Sequence, residues 1–522
     1  MTFYVTTPIY YVNAAPHLGH AYTTLGADVL VRHMRQRGAE VFFLTGTDEH
    51  GEPVALAAER EGIAPQELAD RNAERFKAMV RELGVSNDFF VRTSDAQHMA
   101  KVQEILTRVY DNGYVYKGLY EGWYCPRCAD FKSENEIGPG NTCPIHEIEL
   151  VRESEENYFF ALSKFQEPLR RLYAQTPPEG DEPSGPRRPA FVMPTHHFNE
   201  ARAFVAQGLQ DVSLTRGNLT WGVPVPWDSG HVFYVWFDAL LNYVTALSYA
   251  REGEDLTDKF WPASFHMIGK DILKFHTVFW PALLMAAGLE LPRHVFVHGF
   301  LLMDDKKMSK SLGNVLDPFA IIERYGTDAL RYYCFREVSF GRDGSVSNAG
   351  FEARYEGELA NEYGNLASRT LAMVERYRDA TLPAAGVAVQ PPAVALDGEL
   401  AGDFDGLADE VCALLDRAEL SQALEAIWRR VRRLNRYVEE RTPWTLAKDP
   451  SREQELSGVL ASLAEGLRVV SVLLHPYLPV STVKLLGALG AEDLDLEAAR
   501  FGAGAGESRR VGTLEPLFPK AL

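Results

Sequence analysis

Two clusters of residues in this chain have the types and spacing for nucleotide chemistry. The first is His17-Leu18-Gly19-His20. An apolar run, Phe3-Tyr4-Val5, precedes it and is closed by Thr6, Thr7 and Pro8, while Ala21, Tyr22, Leu25, Val29 and Leu30 follow at the spacing of one helical face. That order predicts a strand, a loop and a helix N-terminus, where free N–H groups and the helix dipole favour anionic phosphate. Two histidines one turn apart, with a glycine between them that lets a ligand approach the backbone, suit a nucleoside triphosphate. The second cluster, Lys307-Met308-Ser309-Lys310-Ser311, puts two mobile ammonium groups on a loop and suits charge developing on a departing pyrophosphate. Each has an ordinary alternative: a capped helix start for the first, a solvated loop for the second. Their joint presence in this order, with strand-turn-helix patterning around the first, favours the chemical reading.

A third cluster binds metal by its spacing. Cys125-Pro126-Arg127-Cys128 is answered by Cys143-Pro144-Ile145-His146, and three thiolates with one imidazole can close tetrahedrally on a single zinc ion. Because protein fills all four positions, the site is expected to be structural. The other two cysteines, Cys334 and Cys412, stand among apolar neighbours and read as buried small hydrophobes. An odd count without a secretory signal argues against a disulfide framework.

The elements that must position these groups alternate between apolar runs and helical stripes. Residues 41–47 read as a buried strand ending in Asp48-Glu49-His50-Gly51, where an open α/β sheet would present polar groups to a ligand. Asp48 could bind an amino group there or cap the next helix. Residues 59–116 are largely helical in pattern. Three further strands are expected within residues 231–237, 264–271 and 295–300, and the Pro- and Gly-rich residues 176–189 read as a loop. A helical region opens at 361–369, residues 382–398 form a long loop, and Leu424, Ile427, Val431, Leu434 and Val438 mark the apolar stripe of a helix that closes near Trp444. No internal repeat is visible.

At 522 residues and 46% hydrophobic content the chain can bury several cores, roughly three or four domains. The first ten residues carry neither a basic n-region nor an apolar h-region, and no apolar run is expected to span a bilayer, so a cytoplasmic protein is expected. A net charge of −19 argues against sequence-blind nucleic-acid binding, which needs a large excess of Lys and Arg. An RNA partner would need local basic patches such as Lys306, Lys307 and Lys310, or Arg429, Arg430, Arg432, Arg433 and Arg436. By charge alone the second run reads as a solvated helix face.

The paired signatures resemble those of class I aminoacyl-tRNA synthetases, and the zinc knuckles with residues 9–11, 236–243 and 272–276 make the whole chain similar to the methionyl-tRNA synthetase family. The resemblance implies an α/β fold: a Rossmann-type parallel sheet split by a zinc-binding insertion, followed by a C-terminal α-helical bundle. It implies domains at 1–115 and 227–292 for the two catalytic halves, 116–226 for the insertion, 293–355 for the Lys307 loop and stem-contact region, and 356–522 for the anticodon-binding bundle. ATP-binding residues would be His17, Gly19, His20, Gly269, Asp271, Lys307, Lys310 and Ser311, with His17, His20, Lys307 and Lys310 catalytic and Asp271 on the ribose.

By the same resemblance, Ile9, Tyr11, Asp48, Trp236, Ala239, Leu240, Tyr243, Ile272 and His276 would bind methionine. This chain has leucine at 240, where many relatives have proline. Asn365, Arg369 and Trp444 would read a CAU anticodon, and Cys125, Cys128, Cys143 and His146 would hold one structural zinc; the second ligand set of some relatives is missing. The implied activity is methionine–tRNA ligation: ATP and methionine give methionyl-adenylate and pyrophosphate, and the methionyl group passes to the terminal adenosine of initiator or elongator methionine tRNA. Magnesium would accompany ATP. No DNA or membrane partner is expected, and a monomer is expected because the chain ends before the dimer-forming domain of some relatives.

Three rivals are weaker. Synthetases for leucine, isoleucine or valine carry a larger editing insertion, for which residues 116–226 are too short and zinc-occupied. A small-molecule adenylyltransferase would leave the helical C-terminal third unexplained. A non-catalytic RNA-binding paralogue would not need both signatures intact.

Overall fold

The computed structural model describes residues 1–519 except 127–129, 133–136, 145–146, 176–189, 304–305, 308–316 and 387–393. Its organising element is a sheet of six strands in the order β3-β2-β1-β11-β12-β7, all paired in parallel. In chain order β1 is Thr2–Tyr11, β2 Glu40–Asp48 and β3 Phe89–Arg92. Strands β4 (Val115–Cys125), β5 (Asp130–Lys132), β6 (Val151–Phe160) and β8 (Val212–Ser213) form a separate antiparallel sheet, interrupted in sequence by β7 (Val192–Met193), which returns to the edge of the main one. After the short pair β9 (Thr215–Arg216) and β10 (Val232–Phe233) come β11 (Phe265–Gly269) and β12 (His294–His298). Strands β13 (Leu301–Met303), β14 (Lys306–Lys307) and β15 (Gly344–Val346) make a small third sheet.

The run Phe3-Tyr4-Val5-Thr6 is buried on both faces, as a central parallel strand covered by helices must be. Its ladder with β2 shifts register between Thr6 and Ile9, around Pro8, which has no N–H to donate. The order reverses on either side of β1, with β2 to one side and β11 to the other, so the ends of β1 and β11 flank the switch point where open α/β sheets bind ligands. The main sheet takes β7 from within residues 116–226 and β12 from within 293–355, so its edge lies outside the two stretches assigned to it from the sequence.

Strand β3 was not expected within the helical pattern of residues 59–116. It has four residues, too few for a periodicity, and it lies between helices Pro65–Glu82 and Ala96–Asp111. The expected loop at 382–398 is pinned at its ends by Ala385–Gly386 pairing with Val394–Ala395. Cys334 is buried as expected, but Cys412 is only half-buried, on an outer turn of helix Leu407–Leu415.

The C-terminal region is a helical bundle. The stripe residues Leu424, Ile427, Val431, Leu434 and Val438 of helix Leu420–Arg441 are all fully buried. That helix packs on helix Glu453–Leu474, which by length and composition is apolar enough to cross a bilayer, contrary to the sequence expectation. Its apolarity answers burial on all sides: 94% of its most apolar window lies inside the protein.

Candidate active site

His17 stands at the N-cap of helix Leu18–Gln36, immediately beyond β1. Its Nδ1 accepts the Gly19 N–H at 3.1 Å, and Nδ1 of His20 accepts the His17 N–H at 3.2 Å, a reciprocal capping box built from two histidines. The rings stack with centroids 3.8 Å apart, His17 exposed and His20 half-buried against Tyr10 and Phe76. The capping alternative is therefore real, and it serves the site because it fixes both rings at the helix N-terminus. Gly19 leaves room for this arrangement, since a Cβ there would meet the His17 ring at 3.0 Å.

Across the switch point β11 ends at Gly269, where a Cβ would lie 2.7 Å from Oδ1 of Asp271. The glycine lets the exposed Asp271 carboxylate fold back over the strand end. Behind it, His298 at the end of β12 bonds Thr23 of the His17 helix at 2.6 Å, tying that strand end to the helix.

The residues matched to methionine binding come from β1, β2, helix Val235–Thr245 and the helical turns at 272–276. Tyr11 is paired with Asp48 across β1 and β2, and Ile9 with Gly46. Trp236, Ala239, Leu240 and Tyr243 lie on one face of helix Val235–Thr245 by their i, i+3, i+4, i+7 spacing. Ala239, Leu240, Tyr243 and His276 are buried, whereas Ile9, Tyr11, Trp236 and Ile272 are partly exposed, the gradient of a base and a rim. The Tyr11 and Trp236 rings meet edge to face at 6.2 Å, and Trp236 stacks on Phe275 at 3.8 Å. Phe275 was missed in the sequence, although its i, i+3, i+4 relation to Ile272 and His276 was a usable signal.

At the base, Nδ1 of His276 lies 3.0 Å from the Ile272 carbonyl and Nε2 lies 2.7 Å from the Tyr243 hydroxyl. A carbonyl only accepts, so the ring is neutral with its proton on Nδ1, and the tyrosine donates to Nε2. Burial holds its pKa down to about 4. His266 behind it is likewise pushed well below the ordinary histidine value by burial.

The three consecutive residues at the end of β2 have different environments. Glu49 is fully buried and receives a bidentate pair from Arg92 at 2.7 and 2.9 Å. His50 donates to Asp238 at 2.6 Å, and His98 donates to the other oxygen of Asp238 at 2.8 Å. Burial works to raise the Asp238 carboxyl, but the two histidines hold it at about 2. Among the described residues, Asp48 has only a backbone hydrogen bond from His50 to offset its burial. Its Oδ1 is buried without a hydrogen-bond partner among the described residues, and burial followed by the nearby Asp238 and Glu49 carboxylates pushes its pKa well above the usual carboxylate range. A buried carboxylate oxygen left unpaired is set up to receive a cation.

Other expected residues lie elsewhere. Lys307 is in β14, with only its backbone described, and Lys310 and Ser311 lie outside the described residues. Cys125 and Cys143 are fully buried in one small cluster with Leu150, and the Cys143 carbonyl accepts the Glu147 N–H at 2.8 Å. Cys128 and His146 lie outside the described residues. In the bundle, Asn365 is exposed where the helical run Tyr355–Gly364 continues directly into helix Asn365–Arg378, so no free helix end stands there for it to cap. Arg369 lies 5.9 Å from the half-buried Trp444 ring and pairs with Glu439 at 3.0 Å. Four arginines of the run on the neighbouring helix are paired: Arg429 with Glu410, Arg432 with Glu425, Arg433 with Asp403 and Glu440, and Arg436 with Glu440, while the buried Nε of Arg430 has no hydrogen-bond partner among the described residues.

A parallel sheet with histidines at the helix start beyond β1, and a lysine-bearing hairpin beyond β12, is the architecture of a class I aminoacyl-tRNA synthetase. Residues 3–152 and 141–371 match the family model described as tRNA synthetases class I (M). The chain is 43% identical over 521 residues to a methionine–tRNA ligase of Caldanaerobacter subterraneus, covering 99% of this chain and 79% of that relative. A methionine–tRNA ligase of Synechocystis is 45% identical, with 94% and 90% covered. Among solved structures, Mycobacterium tuberculosis methionyl-tRNA synthetase in complex with methionyl-adenylate superposes with a TM-score of 0.91 at 38% identity, over 99% of both chains. The chain belongs to the methionine–tRNA ligase family.

Proposed function

We propose that the chain activates methionine with ATP and transfers it to methionine tRNA, initiator and elongator. The observation that carries this reading is the unpaired, buried carboxyl oxygen of Asp48, whose strand partner Tyr11 meets the stacked Trp236 and Phe275 rings, one strand from the histidine-capped helix start. Asp48 receives the α-ammonium group. Trp236, Phe275, Tyr11, Ile9 and Ile272 surround the side chain, and Ala239, Leu240, Tyr243 and His276 close the base, a soft apolar surface suited to a thioether. With His276 neutral and Tyr243 donating to it, the base offers little unsatisfied polarity, which favours an unprotonated sulfur over a hydroxyl or amide.

His17, Gly19 and His20 hold the triphosphate at the helix N-terminus, Gly269 lets the nucleotide approach β11, and Asp271 binds the ribose. Lys307, Lys310 and Ser311 meet the leaving pyrophosphate. The methionine carboxylate attacks the α-phosphorus in line, so the protein's task is positioning and charge stabilisation, with no protein nucleophile. Magnesium, bound with ATP, would neutralise triphosphate charge.

Two buried thiols in one cluster fit half of a tetrahedral zinc site. Cys125, Cys128, Cys143 and His146 would hold the single ion, whose contribution is to fold the insertion. Asn365, Arg369 and Trp444 read the CAU anticodon. We keep the five-part domain division, with β7 and β12 reassigned to the catalytic sheet, together with a cytoplasmic location, a monomeric state and no DNA or membrane partner.

ATP–pyrophosphate exchange, run without tRNA across all standard amino acids, tests the reading. Methionine should drive it best; exchange driven best by leucine or cysteine refutes it.

A further inference from the structure

Lys270 lies between Gly269 and Asp271, yet its ammonium group is turned to a different unit of the protein. Nζ is 2.6 Å from Oδ2 of Asp343 and 4.5 Å from the centre of the Phe300 ring. Oδ1 of Asp343 accepts the Phe300 N–H at 2.8 Å, and the Phe300 carbonyl accepts the Gly344 N–H at 3.1 Å. The backbones touch here, because a Cβ on Gly299 would stand 2.2 Å from the Arg342 carbonyl carbon. Asp343 immediately precedes β15, which pairs in parallel with β13, and β13 pairs with β14 through Leu302 and Lys307. One carboxylate thus joins the end of β11 to the small sheet that carries Lys307. Burial works to raise the Asp343 carboxyl, but Lys270 and the Phe300 amide hold it below the usual value.

We propose that Lys270, acting through Asp343, is a positioning residue for adenylate formation: it sets the Lys307 hairpin against the nucleotide end of β11 without itself touching the phosphates. The inference rests on the reading that Lys307 acts on the triphosphate. A lysine beside a nucleotide site would ordinarily be assigned to phosphate directly. Here the carboxylate and the aromatic face already occupy the ammonium group, and each immediately precedes a strand of the hairpin's own sheet.

Pyrophosphate exchange by Lys270→Met, Lys307→Ala and the double variant decides it. Lys270→Met should lower kcat by about ten- to hundredfold, the effect of a small misplacement of a charge donor, with the methionine KM unchanged. Lys270→Arg should recover most of the rate, and the double variant should be no slower than Lys307→Ala, since both changes act on the same hairpin. Full kcat in Lys270→Met, or additive losses in the double variant, overturns the proposal. So does a loss of thermal stability and methionine affinity together, which would make the pair merely structural. Should Lys270→Met fail to fold, Asp343→Asn must show the same kcat-only loss. A wild-type rate in Lys307→Ala would instead overturn the reading beneath it.

Discussion

Acid should destabilise this protein partly through His276, and the amount follows from its surroundings. The neutral ring satisfies both neighbours, donating from Nδ1 to the Ile272 carbonyl and accepting the Tyr243 hydroxyl on Nε2. A second proton would set a donor against the tyrosine and bury an uncompensated charge. Burial holds the folded-state pKa to about 4, against 6.5 for an ordinary histidine. As pH falls through 6.5 the unfolded chain takes up the proton first, so this stability is complete above 6.5 and declines toward 4, below which both states are protonated. The loss from this group is about 2 kcal/mol at pH 5 and about 3 kcal/mol in full.

Burial also pushes His33 to about 3 and His475 to about 4, and neighbouring arginines add to it, so the whole protein should lose more than this. Comparing wild type with His276→Gln isolates one site, because the other histidines titrate in both. Urea unfolding at pH 7.5 and 5.0, taking the first transition because chains well above about 150 residues commonly unfold through intermediates, should show the variant losing about 2 kcal/mol less than wild type. Identical acid losses would refute both the tautomer and the burial argument.

Three further outcomes are expected. Elemental analysis should find one zinc per chain, lost in Cys125→Ser along with the fold of the insertion; two ions or none contradicts the knuckle. Arg331, fully buried, binds Asp28 at 2.6 Å and the carbonyls of Leu83, Pro476 and Tyr477. Arg331→Met should therefore cost about 3–5 kcal/mol in denaturant unfolding, and a near-wild-type midpoint would show that these groups find other partners. Trp444→Ala should weaken tRNA charging by about 1–3 kcal/mol while leaving pyrophosphate exchange intact, whereas strong destabilisation with normal charging by the folded fraction would make Trp444 a core residue.

What the sequence determined by itself was local. The histidine-bearing helix start, the polar end of β2 and the stripe from Leu424 to Val438 each depend on spacings within a few residues, where helix and strand periods leave a direct trace. The recognition of the family rested on the same short patterns. Tertiary structure decided the remainder, because the deciding partners are far apart in the chain. Strand β3 exists because β2 offers it an edge, not because four residues announce a strand. Four of the five arginines after Trp428, all but Arg430, are paired by acids from several elements. Residues 48–50 are three polar neighbours in sequence. Only the arrival of Arg92 at Glu49, and of Asp238 at His50, leaves Asp48 as the carboxylate with an open oxygen. Charge compensation in a buried site depends on which distant groups fold against it, and local spacing carries no record of that.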